Sequence, residues 1–319
     1  VSLFLGARKA LRRAVRYATT NFKPRQPIQE SLVLTVSGLI QVGRPERFMA
    51  INPQSRLILG DCLDEMHVLQ DKSVDMILCD LPYGTTAIEW DRQIPFLPLW
   101  SHYKRIIKDN GAIVLFSGQP FTTDLISSNR EMFRYEIIWK KTQPSGFLNA
   151  NKAPLRNHEN IVVFYKKSPT YNPIKSRVAR HDLGRIRHQK QNRAQQYGNI
   201  STYSWVETGE RYPTSVIEFS NWNGAIFGKN RDATKHPTQK PVDLCKYLVL
   251  TYTNPGDLVL DNCMGSGTTG VACIQTERRF IGIEINPEYF TIAENRIKEA
   301  KMQPNLLSEF SEQNDFFND

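Results

Sequence analysis

Leu258-Val259-Leu260-Asp261-Asn262-Cys263-Met264-Gly265-Ser266-Gly267-Thr268-Thr269-Gly270 is the stretch whose reading decides the fold. Its first three residues form a short apolar run of the kind that makes a buried strand. The glycines that follow let a backbone pass close to a ligand. Residues 271–275 read as a helix, and Phe280-Ile281-Gly282-Ile283 as a further strand that ends in Glu284. A glycine loop between strand and helix, with a carboxylate at the tip of the next strand, is how α/β folds hold a ribose-bearing cofactor. Gly265, Gly267 and Gly270 also spell the GxGxxG of dinucleotide-binding dehydrogenases. Against that reading, Asp261 to Met264 separate the strand from the first glycine, which makes the turn longer than the tight dinucleotide turn.

Upstream, Asp80-Leu81-Pro82-Tyr83 follows directly on the apolar run Val74-Asp75-Met76-Ile77-Leu78-Cys79. A carboxylate at a strand's carboxyl end, a proline-stiffened turn and an aromatic face together suit a planar amino-heterocycle such as adenine. The plainer alternative is a strand end followed by a tight turn. Between the two clusters lies His236-Pro237-Thr238-Gln239-Lys240-Pro241.

The tetrad, the HPTQKP segment, the DxxxGSGTT loop and the strand-end Glu284, in this order, resemble the S-adenosylmethionine-dependent amino-methyltransferases of DNA. The resemblance is to their circularly permuted beta class and covers roughly residues 55–300. It implies a Rossmann-like methyltransferase fold, α/β, with a mostly parallel sheet, helices on both faces and an inserted basic recognition segment. It departs at Leu81, where the family more often has proline. It implies methyl transfer from S-adenosyl-L-methionine to the N6 of adenine in DNA, since aspartate at the first tetrad position is more usual among adenine enzymes. Cytosine N4, or an RNA or protein substrate, are the alternatives.

The chemistry explains why these residue types are needed. The exocyclic nitrogen of adenine shares its lone pair with the ring and is a poor nucleophile until both N–H bonds are held out of plane. Asp80 and the backbone carbonyl of Leu81 are the expected acceptors, with Pro82 biasing Leu81 toward an extended conformation. Tyr83 is expected to stack on the extruded base, worth about 1–3 kcal/mol. A fixed carboxylate stabilises the developing ammonium more than the neutral amine, which is differential binding of the transition state. For the cofactor, Gly265, Gly267 and Thr268 begin the loop and helix, whose amino end favours a carboxylate. Lys240 is expected to pair with that carboxylate and Glu284 to accept from the ribose hydroxyls. Asp61, by the resemblance, contacts the adenine of the cofactor, and Asp261 completes the set. A solvated charge at a helix start is the plainer reading of Lys240, and a helix cap that of Asp61.

At 319 residues the chain is long enough for one large α/β domain with an inserted lobe. Its formal charge of +9 is unevenly spread. Residues 1–48 carry nine Lys or Arg against Glu30 and Glu46 and match nothing in the family, so they are read as a disordered or non-native leader, with a transit or signal segment as the alternative. The catalytic domain is expected over 49–302, with 303–319 a disordered acidic tail. Residues 168–232 break the strand-helix alternation and form the expected target-recognition insert, polar, basic and dotted with aromatics. Arg177, Arg180, Arg185, Arg187, Lys190 and Arg193 within it are expected to hold DNA phosphates. A charge-dominated insert of this kind suggests the short or loose specificity of phage and prophage enzymes. Five cysteines without CxxC spacing point to a reduced, cytoplasmic setting and to no metal. No apolar stretch reaches membrane-spanning length, and a monomer or homodimer is expected.

Periodicity places helices over 95–108, 121–132, 242–252 and 288–298, and strands over 57–59, 111–116, 136–140 and 161–165.

Overall fold

The structure, a computed structural model, describes residues 55–84, 92–178, 183–189, 203–221 and 239–302. The expected leader, the acidic tail, Arg180, Lys190, Arg193 and the segment His236-Pro237-Thr238 lie outside the described residues. In chain order the elements are β1 (Ser55–Leu59), α1 (Cys62–Glu65), β2 (Val74–Asp80), α2 (Phe96–Ile106), β3 (Ile107–Ser117) and α3 (Phe121–Ser128). Then come β4 (Phe133–Ser145), β5 (Arg156–Phe164), β6 (Ser176–Arg177), β7 (Ile186–Gln189), β8 (Tyr203–Val206), β9 (Glu210–Arg211) and β10 (Val216–Phe219). The chain continues through α4 (Val242–Tyr252), β11 (Leu258–Asp261), α5 (Thr268–Gln275), β12 (Arg279–Glu284) and α6 (Pro287–Met302).

Eight strands form one sheet in the order β1-β12-β11-β2-β3-β5-β4-β10. Every neighbouring pair is parallel except those made by β5, which runs antiparallel to both β3 and β4. Such a sheet must be covered on both faces, and the period-2 alternation of its strands shows how. Met76 and Leu78 of β2 point into a core shared with Leu244, Leu248 and Val249 of α4, Ala272 and Cys273 of α5, and Ala293 and Ile297 of α6. Ile77 and Cys79 point the other way, onto Leu99, Tyr103 and Ile106 of α2 and Phe121 and Leu125 of α3. Each large aliphatic side chain buried in this way contributes about 1.5–3 kcal/mol.

The position of the site follows from strand order. β2 and β11 are adjacent although some 180 residues apart, because the chain winds outward from β2 through β3 and returns to fill the other half of the sheet. At that reversal the crossovers leave in opposite directions, and a crevice opens beyond the carboxyl ends of the strands. Asp80, Asp261 and Glu284 are the last residues of β2, β11 and β12, and Asp61 follows β1 by two.

Several elements exceed the expected bounds, among them β3, which starts at Ile107, and α6, which runs on to Met302. β4 and β5 are longer than their apolar cores because their polar ends pair with each other across a hairpin, down to Ser145 opposite Arg156. The insert has strands of its own: β6 pairs with β9, β7 pairs with β8, and β10 joins the main sheet beside β4. The helix at 121 ends at Ser128 rather than 132, where Asn129 leaves helical geometry. No helix among the described residues is long and apolar enough to cross a membrane.

Candidate active site

One cavity of about 1080 Å³ lies along the carboxyl edge of the sheet and is lined by both sequence clusters. Asp61, Asp80, Leu81, Pro82, Tyr83, Lys240, Asp261, Gly265, Thr268 and Glu284 all face it. Gly267 does not: its φ of 78° caps α5 and turns the residue toward α6, where a Cβ would stand 2.8 Å from the Cβ of Ala293. Gly267, expected beside the cofactor, here serves close packing of α5 on α6. Replacing it by alanine is expected to destabilise the domain by about 2–3 kcal/mol, from left-handed strain and overpacking together. That loss should lower Tm by roughly 5–10 °C in a thermal melt.

One end of the cavity is organised by Glu284. One carboxylate oxygen accepts the Gly265 N–H at 2.8 Å and the other accepts the Asn286 N–H at 2.9 Å. Its own carbonyl accepts from Gly60 N–H at 2.9 Å, tying the loop after β1 to the same point. Burial raises its pKa above the usual value, opposed by these backbone donors. Asp61 accepts from the Leu63 N–H at 2.8 Å and so caps α1 while facing the cavity. Asp261 is almost fully buried and accepts from the Cys263 N–H at 3.2 Å. Burial pushes its pKa up to about 7. Thr268 and the Ser266 backbone are held from behind by Arg296 of α6.

The tetrad closes the other end. Leu81 is buried, and the Tyr83 hydroxyl donates to Asp80 Oδ1 at 2.9 Å. The Tyr83 ring stacks on Phe121 with centroids 5.0 Å apart, which locks the ring plane. Asp80 Oδ2 accepts from the Lys240 ammonium at 2.5 Å. Burial raises the pKa of Asp80, and Lys240 opposes it. Lys240, expected to pair with the cofactor carboxylate, is held here by Asp80 and by Glu159, whose Oε2 is 3.4 Å away. Two partly buried carboxylates attract the ammonium more strongly than an open cavity wall would. Cys79 beside the tetrad is fully buried, with its thiol pushed up to about 12 by burial, as befits a packing residue.

Sequence reading missed Glu159 and Lys141. Lys141 is ion-paired with Glu159, and its ammonium lies 5.2 Å from the Trp139 ring centre. Both charges sit where an apolar stripe predicts an inward side chain. Ile137 and Trp139 lead to Lys141 along β4, and Val163 and Ile161 lead to Glu159 along β5. A charge continuing a buried stripe on two adjacent strands was the available signal. Trp139 and Glu159 are register partners across the pair.

Of the six proposed phosphate contacts, the described ones lie away from the cavity lining. Arg177 is exposed on β6 opposite Glu210, Arg185 is exposed just before β7, and Arg187 is half-buried on β7. The insert also contributes Asn221, which lines the cavity and is bonded to the backbone of Gln143.

Comparison with known proteins places this geometry. Type II methyltransferase M.HpaI of Haemophilus parainfluenzae is 29% identical over 76% of this chain and 74% of its own length. DNA adenine methyltransferase YhdJ of Escherichia coli is 30% identical, covering 80% of this chain and 86% of its own. The solved M1.HpyAVI–SAM complex superposes with a TM-score of 0.50 at 25% identity, over 76% of this chain and 99% of that one. The cytosine-N4-specific PvuII DNA methyltransferase shares the fold, with a TM-score of 0.55 at 16% identity over 78% and 91% of the two chains. The family model described as DNA methylase, for N6 and N4 methyltransferases, matches residues 74–295, most of the catalytic domain, and the chain belongs to that family.

Proposed function

We propose that the chain transfers the methyl group of S-adenosyl-L-methionine to the exocyclic N6 of adenine in DNA. The observation that carries this reading is one cavity shared by the Asp80 tetrad and the Gly265–Glu284 cofactor corner. S-adenosylmethionine supplies an electrophilic methyl group on a sulfonium. Gly265 N–H and Glu284 would hold its polar parts beside α5, and Asp261 and Thr268 would line its bed. Asp80 and the Leu81 carbonyl would accept the two amine hydrogens of the target, and Tyr83, backed by Phe121, would present a ring to it. As the nitrogen attacks, positive charge moves onto it, and the fixed Asp80 carboxylate stabilises that charge. The methylated ammonium is acidic, and its proton leaves afterwards. In a duplex the target atom is inside the stack, so the base is extruded into the cavity.

Incubating the protein with DNA and the cofactor, then digesting to nucleosides for mass spectrometry, tests the reading. N6-methyladenine is the expected product, and N4-methylcytosine alone would move the assignment to the other branch of the family.

The basic insert is the proposed phosphate-binding surface, and the cytoplasm the proposed compartment, supported by five free cysteines. Reversing Arg177, Arg185 and Lys190 should flatten the slope of log DNA affinity against log salt by about 3, if each makes one phosphate contact. The weakening should be similar on unrelated sequences, because phosphate contacts position without specifying. An unchanged slope would shift the surface to the aromatic part of the insert.

A further inference from the structure

Both oxygens of the Asp80 carboxylate are already engaged, Oδ1 by the Tyr83 hydroxyl and Oδ2 by the Lys240 ammonium. An amine entering the site needs one of those acceptors, and an ammonium on Oδ2 occupies the place its N–H would take. It also opposes the reaction, because an ammonium beside the nitrogen that becomes positive repels it, and more strongly in a partly buried site than in water. The same lysine has a second acceptor within reach. Glu159 Oε2 is 3.4 Å from the Lys240 nitrogen, is buried, and makes no hydrogen bond. Lys141 pairs with the other oxygen of Glu159. Asp80, Glu159, Lys141 and Lys240 balance to zero charge and all line the one cavity, so a shift of Lys240 from one carboxylate to the other leaves that balance intact.

We propose that Lys240 is a resident stand-in for the target amino group, and that Glu159 is the positioning residue to which it withdraws as that group enters. The inference rests on the methyltransferase reading and deepens it. Before the target base enters, Lys240 keeps Asp80 satisfied, and base extrusion is the event that displaces it. Glu159 then holds the ammonium away from the nitrogen that becomes positive, so the carboxylate field at Asp80 acts on the substrate alone.

The test is a pair of substitutions read by steady-state kinetics, with cofactor affinity measured separately by calorimetry. Glu159→Gln keeps the shape but weakens the withdrawal site, and should lower kcat/KM for DNA roughly 10–100-fold, the worth of one charge-assisted hydrogen bond. The double variant Glu159→Gln, Lys240→Met should recover at least about tenfold over the single variant at pH 9, because the obstructing ammonium is gone. High pH is needed because burial raises Asp80, with Glu159 adding to it where that carboxylate is kept, and replacing Lys240 removes the main charge that opposes this, leaving only the Tyr83 hydroxyl. Lys240→Met alone, at pH 9, should lower the KM for DNA by about threefold or more and leave cofactor affinity within about twofold. Should the double variant be slower than Glu159→Gln at every pH, or should Lys240→Met weaken cofactor binding more than about tenfold, the stand-in role is overturned. Wild-type protein that methylates no DNA would overturn the underlying reading as well, so the two failures are distinguishable.

Discussion

Asp80→Ala should lose roughly 10²–10³ in the rate of methyl transfer, the usual cost of removing one preorganised electrostatic partner of a transition state. Three features make the loss large. The carboxylate sits at the end of a buried strand, so its position is set by the sheet rather than by a loop. The Tyr83 hydroxyl on Oδ1 fixes its orientation, and β2 and β3 hold its backbone in register. Burial lowers the local dielectric, so its charge counts for more than it would in water. Cofactor affinity, read by calorimetry, should change little, because Glu284 and the glycine loop hold the other end of the cavity. Asp80→Asn separates charge from hydrogen bonding and should lie closer to the alanine variant than to wild type. Substantial activity in either variant would take the catalytic role away from Asp80.

Glu284→Ala should weaken S-adenosylmethionine binding by about 10–100-fold, the worth of one charge-assisted hydrogen bond at about 1.5–3 kcal/mol. Part of this is direct, through the ribose hydroxyls the carboxylate is proposed to accept from. Part is structural, because the Gly265 and Asn286 N–H groups lose their acceptor and the loop loses its shape. Glu284→Gln, which keeps one acceptor oxygen, should restore a share of the affinity. Nicotinamide dinucleotides should not bind wild type at all; tight binding in a competition titration would revive the dehydrogenase reading of Gly265, Gly267 and Gly270.

Alternation of strands and helices, the glycine loop and the tetrad were legible because each is a local pattern. A period of 2 or 3.6, a proline turn and a run of glycines declare themselves within about ten residues. The polar ends of β4 and β5 were not legible, because nothing in residues 141–145 or 156–160 is strand-like on its own. They extend only because each pairs with the other. The strands of the insert escaped for the same reason, being short and polar and stabilised by partners as much as 80 residues away, as β10 is by β4.

By itself, the sequence determined the class of fold and the placing of Asp80, Gly265 and Glu284 at or just beyond strand ends, since turn chemistry there is written in adjacent residues. Only the tertiary structure decided what those groups touch. Gly267 faces Ala293 rather than the cavity, and Lys240 lies on Asp80, with Glu159 and Lys141 brought beside them by the antiparallel β5 and its neighbour β4. Lys240 is 160 residues from Asp80 and 81 from Glu159, and no local propensity encodes a contact across such a distance. It is set by strand order and register, which the buried faces of the whole sheet choose together.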